Sequence, residues 1–221
     1  MGMTPERWRA IGAYLDDVFG EQSERMATLM PRAVAAGLPD IGVSASVGRF
    51  LHVLCRTVGA RTIVEVGTLG GYSGAWLARG LQPGGRLITI EPEALHADFA
   101  QGEFEAMGLA DRVEIRRGFG MDVLPKLVSE LGEGGVDVVF LDAIKSEYPD
   151  YLPHAKAMLR SGGLLIADNA LGGGSWWIDD PVGSHESRDG ADRFNRLVAA
   201  DADFDSACVP IREGVLVARR V

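Results

Sequence analysis

Thr62-Ile-Val-Glu-Val-Gly-Thr-Leu-Gly-Gly-Tyr-Ser-Gly74 decides how the rest of the chain is read. Ile63 to Val66 is β-branched and apolar apart from Glu65, the composition of a strand covered on both faces. Gly67, Gly70 and Gly71 follow, and Ser73 with Ala75-Trp-Leu-Ala78 then opens a helical pattern. Buried strand, glycine turn and helix start form the first unit of a nucleotide-binding α/β sheet. The glycines admit a ligand close to the backbone, and the helix N-terminus leaves N–H groups unpaired. The spacing is not that of a dinucleotide fingerprint, because Leu69 stands where the second glycine belongs. That argues against a nicotinamide cofactor.

Arg86-Leu-Ile-Thr-Ile-Glu91 reads as a second strand ending in an acid. Glu91 lies at the distance from the turn at which a carboxylate accepts both ribose hydroxyls of a nucleoside. Further out the alternation is regular: strands at 62–66, 86–90, 112–116, 136–141 and 163–167, with helical patterns between them. This rhythm predicts a Rossmann-like, doubly wound α/β fold. Two more strand-like pieces, 205–210 and 214–219, are joined by the short link Pro210-Ile-Arg-Glu-Gly214 and predict an antiparallel hairpin. The expected architecture is a mostly parallel seven-stranded sheet with an antiparallel C-terminal hairpin and extra N-terminal helices.

Before the sheet, Thr4-Pro5-Glu6 has the form of a helix start, followed by Trp8, Ile11, Leu15 and Phe19 at helical spacing. Met26, Met30 and Val34 suggest a second helix, with Pro31 as its kink or break. Ser44 or Ser46 can cap a third, whose Val47, Phe50, Leu51, Leu54 and Val58 form one apolar face. With no linker-like, repeated or low-complexity segment, residues 1–221 read as one domain, with 1–40 as a helical cover or lid.

The composition sets limits. A chain of 221 residues, 47% hydrophobic and 24% charged, is that of an ordinary globular protein with one good core. A net charge of −9 gives no overall electrostatic footprint for nucleic acid or an anionic membrane. No apolar run approaches the ~20 residues of a membrane span, and no signal sequence opens the chain, so the expected compartment is the cytoplasm. Cys55 and Cys208 both read as small buried hydrophobes and offer no metal-ligand spacing.

The strongest chemical signals stand at two strand ends. Val138-Val-Phe-Leu141 runs into Asp142, with Lys145 three residues on, and Leu164-Leu-Ile-Ala167 runs into Asp168-Asn169. Ligands of a parallel sheet bind outside the carboxyl ends of its strands. On neighbouring strands, Asp142, Asp168 and Asn169 would converge beside the glycine turn as a hard oxygen set suited to Mg²⁺, Mn²⁺ or Ca²⁺. In a desolvated pocket near a dication, Lys145 would hold its charge poorly and serve as a general base.

With these residues in view, the chain resembles the metal-dependent class I S-adenosylmethionine O-methyltransferases, the group that includes catechol and caffeoyl-CoA O-methyltransferases. The resemblance runs from about Pro39 to the C-terminus. It rests on Gly48-Arg-Phe-Leu51, Glu65 to Ser73, Phe140-Leu-Asp-Ala-Ile-Lys145, Asp168-Asn169, Arg193-Phe-Asn195 and Pro210-Ile-Arg-Glu-Gly-Val-Leu-Val-Ala-Arg-Arg220. It implies that Asp142, Asp168 and Asn169 hold the cation and that Lys145, with Asp142, acts on the acceptor hydroxyl. It implies a pocket for S-adenosyl-L-methionine lined by Val43, Glu65, Gly67, Tyr72, Ser73, Glu91, Phe119, Gly120 and Asp142, with Glu91 on the ribose and Phe119-Gly120 on the adenine. It also implies a homodimer. Ile144 stands where plant-type members carry an acid and catechol-type members an apolar residue, and Leu171-Gly-Gly-Gly-Ser-Trp-Trp177 replaces the family's usual tryptophan-asparagine-glycine loop. Trp176 and Trp177 would stack on an aromatic acceptor, close over the core or meet a partner subunit.

The expected reaction is metal-dependent methylation of a hydroxyl on a small catechol-like, vicinal-oxygen acceptor. Two alternatives compete. A tRNA wobble-uridine methyltransferase would need phosphate-binding Lys and Arg that the acidic balance does not favour. An inactive cofactor-binding homologue is opposed by the intact set Asp142, Lys145, Asp168 and Asn169.

Overall fold

A computed structural model describes residues 4–172 and 185–221. Trp176 and Trp177 lie outside the described residues. Helix α1 (Pro5–Phe19) begins as its sequence predicts: the Thr4 hydroxyl accepts a bond from the Arg7 N–H, and Pro5 takes the first position. The second predicted helix is two pieces, α2 (Glu24–Ala27) and α3 (Leu29–Ala35). The break falls at Thr28 and not at Pro31. Pro31 occupies the first turn of α3, where no N–H is required, while its ring excludes the carbonyl four residues earlier from a continuous helix. Helix α4 (Ala45–Val58) is capped by Ser44, whose Oγ accepts from Val47 N, and ends on Gly59 at φ +64°. The Ser46 N–H instead donates to Asp16 Oδ1 at 2.8 Å and ties α4 to α1.

The sheet contains β1 (Thr62–Val66), β2 (Arg86–Glu91), β3 (Val113–Arg117), β4 (Val136–Leu141), β5 (Leu159–Ala167), β6 (Phe204–Val209) and β7 (Val215–Arg220). Their order is β3-β2-β1-β4-β5-β7-β6. The first five strands pair in parallel, and β7 runs antiparallel to both β5 and β6. The expected seven-stranded, mostly parallel sheet with a terminal hairpin is therefore observed. Strand β5 starts earlier than the predicted residue 163. Leu159 already pairs with Val136, and Gly162, at φ +74°, absorbs an irregularity that looks like a turn in sequence.

Helices α5 (Tyr72–Gly80), α6 (Ala94–Ala106), α7 (Gly120–Leu131), α8 (Tyr148–Met158) and α9 (His185–Ala200) complete the layers. Alternating side chains of each strand feed two cores. On one face Ile63, Leu87, Val138, Phe140 and Ile166 meet Val47, Leu51, Trp76 and Phe104 from α4, α5 and α6. On the other, Val64, Ile88, Val139, Leu141 and Leu165 meet Leu124, Tyr151 and Phe194 from α7, α8 and α9. Each such fully buried side chain contributes roughly 1.5–3 kcal/mol. The short helices α2 and α3 are fastened to the first layer through Glu103 of α6, which receives Arg25 Nη2 at 3.1 Å and Arg32 Nη2 at 2.6 Å.

The cysteines differ from each other. Cys55 is buried as expected, and burial pushes its thiol up to about 12. Cys208 is exposed, because β6 is the edge strand and little covers it. Among the described residues no helix is long and apolar enough to cross a membrane.

Candidate active site

Strand order brings the marked residues together. With β4 between β1 and β5, the ends of the three strands lie side by side: Asp142 N donates to Val66 O at 2.9 Å, and Asp168 N to Leu141 O at 3.0 Å. A cleft of about 370 Å³ opens there, lined by Val43, Gly67, Tyr72, Ser73, Glu91, Asp142, Ile144, Lys145 and Asn169 among others. A larger cavity of about 610 Å³ lies against α1, Leu171 and Ile211 and contains none of the strand-end acids. The chemistry belongs to the smaller one.

Gly67 is where the chain needs glycine most. Its φ is +102°, and a Cβ there would stand 2.0 Å from the Asp142 carbonyl oxygen. The turn it begins is held from beneath and from the side. Beneath, Glu65 is fully buried and does not reach the cleft. Ser73 Oγ donates to its Oε1 at 2.6 Å and Thr89 Oγ1 to its Oε2 at 2.7 Å. Thr68 Oγ1 lies 2.6 Å from Thr89 Oγ1 and is the donor to it when Glu65 is ionised; when Glu65 carries a proton, that proton goes to one of the two hydroxyls and the direction is free to reverse. From the side, Glu91 Oε2 accepts the N–H groups of Thr68 and Leu69 at 3.2 and 2.8 Å. Its Oε1 accepts from Glu93 N at 3.1 Å and faces His96 Nδ1 at 3.2 Å. Leu69, which sequence reading used only to exclude a dinucleotide, is thus a working part of the turn, at φ +47°. His96, also on the cleft wall, carried no motif that could have marked it.

Burial pushes the Glu65 carboxyl up from 4.5 to about 8, against the pull of the Ser73 and Thr89 hydroxyls. The folded protein therefore keeps a proton on Glu65 up to about pH 8, whereas the unfolded chain releases it near 4.5. Stability should fall as pH rises through that window and level off above it. Glu65→Gln should remove the fall. Urea unfolding of both proteins at pH 5 and pH 8.5 should show the variant gaining on the order of 3 kcal/mol relative to wild type between the two. An unchanged difference would mean that Glu65 stays ionised in the fold.

Tyr72 and Ser73 line the cleft at the first turn of α5, whose N-terminus has no side-chain cap. The Tyr72 hydroxyl donates to Gln22 Oε1 at 2.6 Å and connects this wall to the N-terminal segment. Phe119 and Gly120 are not among the cleft residues. Phe119 is 53% exposed, and Gly120 opens α7 with its Cα set against the Tyr151 ring.

At the opposite wall, Lys145 Nζ donates to Asp142 Oδ1 at 2.8 Å and lies 5.3 Å from the centre of the Tyr148 ring. Burial opposes the Lys145 charge, but Tyr148 and Asp142 together outweigh burial and hold the ammonium above its ordinary range. Tyr148, which no motif announced, anchors this corner by donating to Leu141 O at 2.9 Å. Asp168 is 2% exposed, and its Oδ1 is buried with no hydrogen-bond partner among the described residues. Burial, reinforced by Asp142, pushes its carboxyl well above the usual carboxylate range.

These residues suit a hard cation. An unpartnered buried carboxylate oxygen is costly unless something positive meets it, and Asp142 and the Asn169 amide supply further oxygens at the same strand ends. Among the described residues no group of three or more His, Cys, Asp or Glu side chains is close enough to hold a metal, so the set depends on Asn169. The donors are hard oxygens, the preference of Mg²⁺, Mn²⁺ and Ca²⁺.

Comparison with known proteins places this geometry. Residues 17–221 match the O-methyltransferase family model. The chain is 36% identical over 204 residues to a catechol O-methyltransferase of Niastella koreensis, covering 92% of this chain and 91% of that protein. It is 39% identical over 164 residues to a catechol O-methyltransferase of Mycobacterium tuberculosis, covering 74% and 73%. The crystal structure of the O-methyltransferase from Bacillus cereus in complex with SAH superposes with a TM-score of 0.86 at 35% identity, covering 98% of this chain and 99% of that one.

Proposed function

The chain belongs to the O-methyltransferase family, and from that premise we propose that it transfers a methyl group from S-adenosyl-L-methionine to a hydroxyl of a small catechol-like acceptor with the help of a divalent cation. The observation that carries this reading is the meeting of Asp142, Lys145 and Asn169 in the cleft beside the glycine turn, with the buried Asp168 preceding Asn169 at the end of β5. The catechol O-methyltransferase relatives and the apolar Ile144 at the cleft favour the catechol class.

Methyl transfer from a sulfonium is an in-line displacement: the new C–O bond forms as the C–S bond breaks, and the hydroxyl proton must leave. A phenol is mostly protonated at neutral pH. Glu91 and the turn at Gly67 would hold the nucleoside, with Val43, Tyr72, Ser73 and Asp142 around the methionine part, Glu65 supporting from beneath and Phe119-Gly120 extending toward the adenine. Asp142, Asp168 and Asn169 would hold Mg²⁺, or Mn²⁺ or Ca²⁺, which when bound lowers the acceptor hydroxyl's pKa and fixes its direction. Lys145 would take the hydroxyl proton as its neutral amine, having first given up its own proton to solvent once Asp142 is engaged elsewhere and no longer holds its charge, and the Tyr148 ring keeps Nζ at the cleft. Residues 1–40 act as a cover over this site within one domain, tied to it through Gln22 and Tyr72. A cytoplasmic homodimer is the expected working form.

The test is transfer of labelled methyl from S-adenosylmethionine to catechols, caffeoyl esters and bulk tRNA, each with Mg²⁺ and with a chelator. Transfer to a catechol that disappears with chelator is the expected result. Chelator-insensitive transfer would remove the metal roles, and transfer to tRNA alone would overturn the acceptor class.

A further inference from the structure

We infer that Asn195, on α9, is a positioning residue for the Asp168-Asn169 pair, an inference that rests on the metal-binding reading of that pair. Asn195 Nδ2 donates to the Ala170 carbonyl at 2.6 Å, across 25 residues of chain. Its Oδ1 is buried and has no hydrogen-bond partner among the described residues. The carbonyl it grips belongs to the residue after Asn169, which sits at φ +53°, in the left-handed region that a non-glycine residue enters at a cost.

Such a conformation persists only where its surroundings over-determine it, and here the two peptides that follow Asn169 are each held at both ends. Ala170 N donates to Gly214 O at 2.9 Å and Gly172 N to Asn169 O at 2.9 Å, which fixes both ends of the peptide joining Asn169 and Ala170. Leu171 N donates to Glu213 O at 2.8 Å, so the next peptide is held at its N–H by the β6–β7 turn and at its carbonyl by Asn195. Among these contacts, Asn195 is the single side chain. Removing it would release the Ala170 carbonyl and let the strained turn relax, carrying the Asn169 amide with it.

The amide's structural contribution is divided: Nδ2 satisfies the Ala170 carbonyl, which an apolar side chain would leave without that partner, while its own Oδ1 stays buried and unpartnered, which works against the fold. The neighbour Phe194 points to the same end. It is fully buried and meets the Tyr148 ring edge-on at 5.4 Å, and Tyr148 in turn lies against Lys145. One turn of α9 thereby supports both halves of the strand-end set. The Arg193-Phe194-Asn195 stretch, which carries part of the family resemblance, acquires a physical role.

The experiment compares wild type with Asn195→Leu, which keeps the volume but cannot donate, and Asn195→Ala. Mn²⁺ alone is titrated against each, and SAH binding is measured separately in chelator. The expected result is a ~10- to 100-fold weaker Mn²⁺ affinity in both variants, with SAH affinity within about twofold of wild type, which also establishes that they fold. Mn²⁺ affinity unchanged in either variant that binds SAH normally would overturn the inference. Equal losses of Mn²⁺ and SAH affinity would also overturn it, as a general structural effect. Wild type that binds SAH and no Mn²⁺ would overturn the metal reading itself and this inference with it.

Discussion

Asp168→Asn is expected to reduce methyl transfer by at least ~10²-fold while leaving the protein folded and raising its thermal midpoint by a few degrees. Two opposite effects come from one atom. In the folded chain Asp168 is 2% exposed and its Oδ1 has no partner among the described residues, so burial of the carboxylate works against the fold. Asparagine has nearly the same shape and no charge to desolvate. A gain of ~1 kcal/mol would move the midpoint of a chain this size by about 2–4 °C. The same substitution weakens the hard anionic oxygen set on which cation binding depends. Activity and stability would then move in opposite directions, the trade expected where a site is held in a destabilised arrangement. Steady-state kinetics and a thermal melt of the same preparation suffice. Retained activity would remove Asp168 from the machinery, and a lowered midpoint would mean that its carboxylate is satisfied in the folded protein.

Gly67→Ala is expected to produce the largest stability loss of any glycine-to-alanine change among the described residues, about 4 kcal/mol or more. The added Cβ would lie 2.0 Å from the Asp142 carbonyl oxygen and 2.8 Å from its carbon, and both are backbone atoms. No rotamer change relieves a clash between two main chains. Relief requires parting β1 from β4, where Asp142 N bonds to Val66 O, or β1 from β2, where Gly67 N bonds to Ile90 O. The positive φ of 102° adds its own strain. Gly84→Ala separates the two contributions: Gly84 has φ +72° and open space around the new methyl, so strain alone should cost about 1–2 kcal/mol. Urea midpoints of the two variants give the comparison. Equal losses would mean that the sheet yields at Gly67 and that the close approach is not a constraint.

Much of the site was legible because its signals are local. A β-branched run bounded by glycines marks β1 and its turn, and an acid at the end of an apolar run marks Glu91, Asp142 and Asp168 without reference to any distant residue. The positions that escaped notice are those whose role depends on a partner far along the chain. Leu69 acquires its role from Glu91, 22 residues on, and Tyr148 from Lys145 and the Leu141 carbonyl. Asn195 acquires its own from Ala170. No spacing rule connects such pairs, because the contact exists only after the sheet has formed.

Sequence by itself determined the α/β alternation, the strand–turn–helix unit at Thr62–Gly74, the terminal hairpin and the residue types at the strand ends. Those features follow from side-chain periodicity and from the backbone conformations that glycine and proline allow or forbid. Tertiary structure alone decided that β4 lies between β1 and β5, which gathers Gly67, Asp142 and Asp168 within one ladder of backbone hydrogen bonds. It decided that Glu65 supports the turn from below, that Cys208 lies exposed on the edge strand, and that Lys145 keeps its charge against burial. Burial and electrostatic environment are set by neighbours in space, and a group's charge and exposure cannot be read until those neighbours are in place.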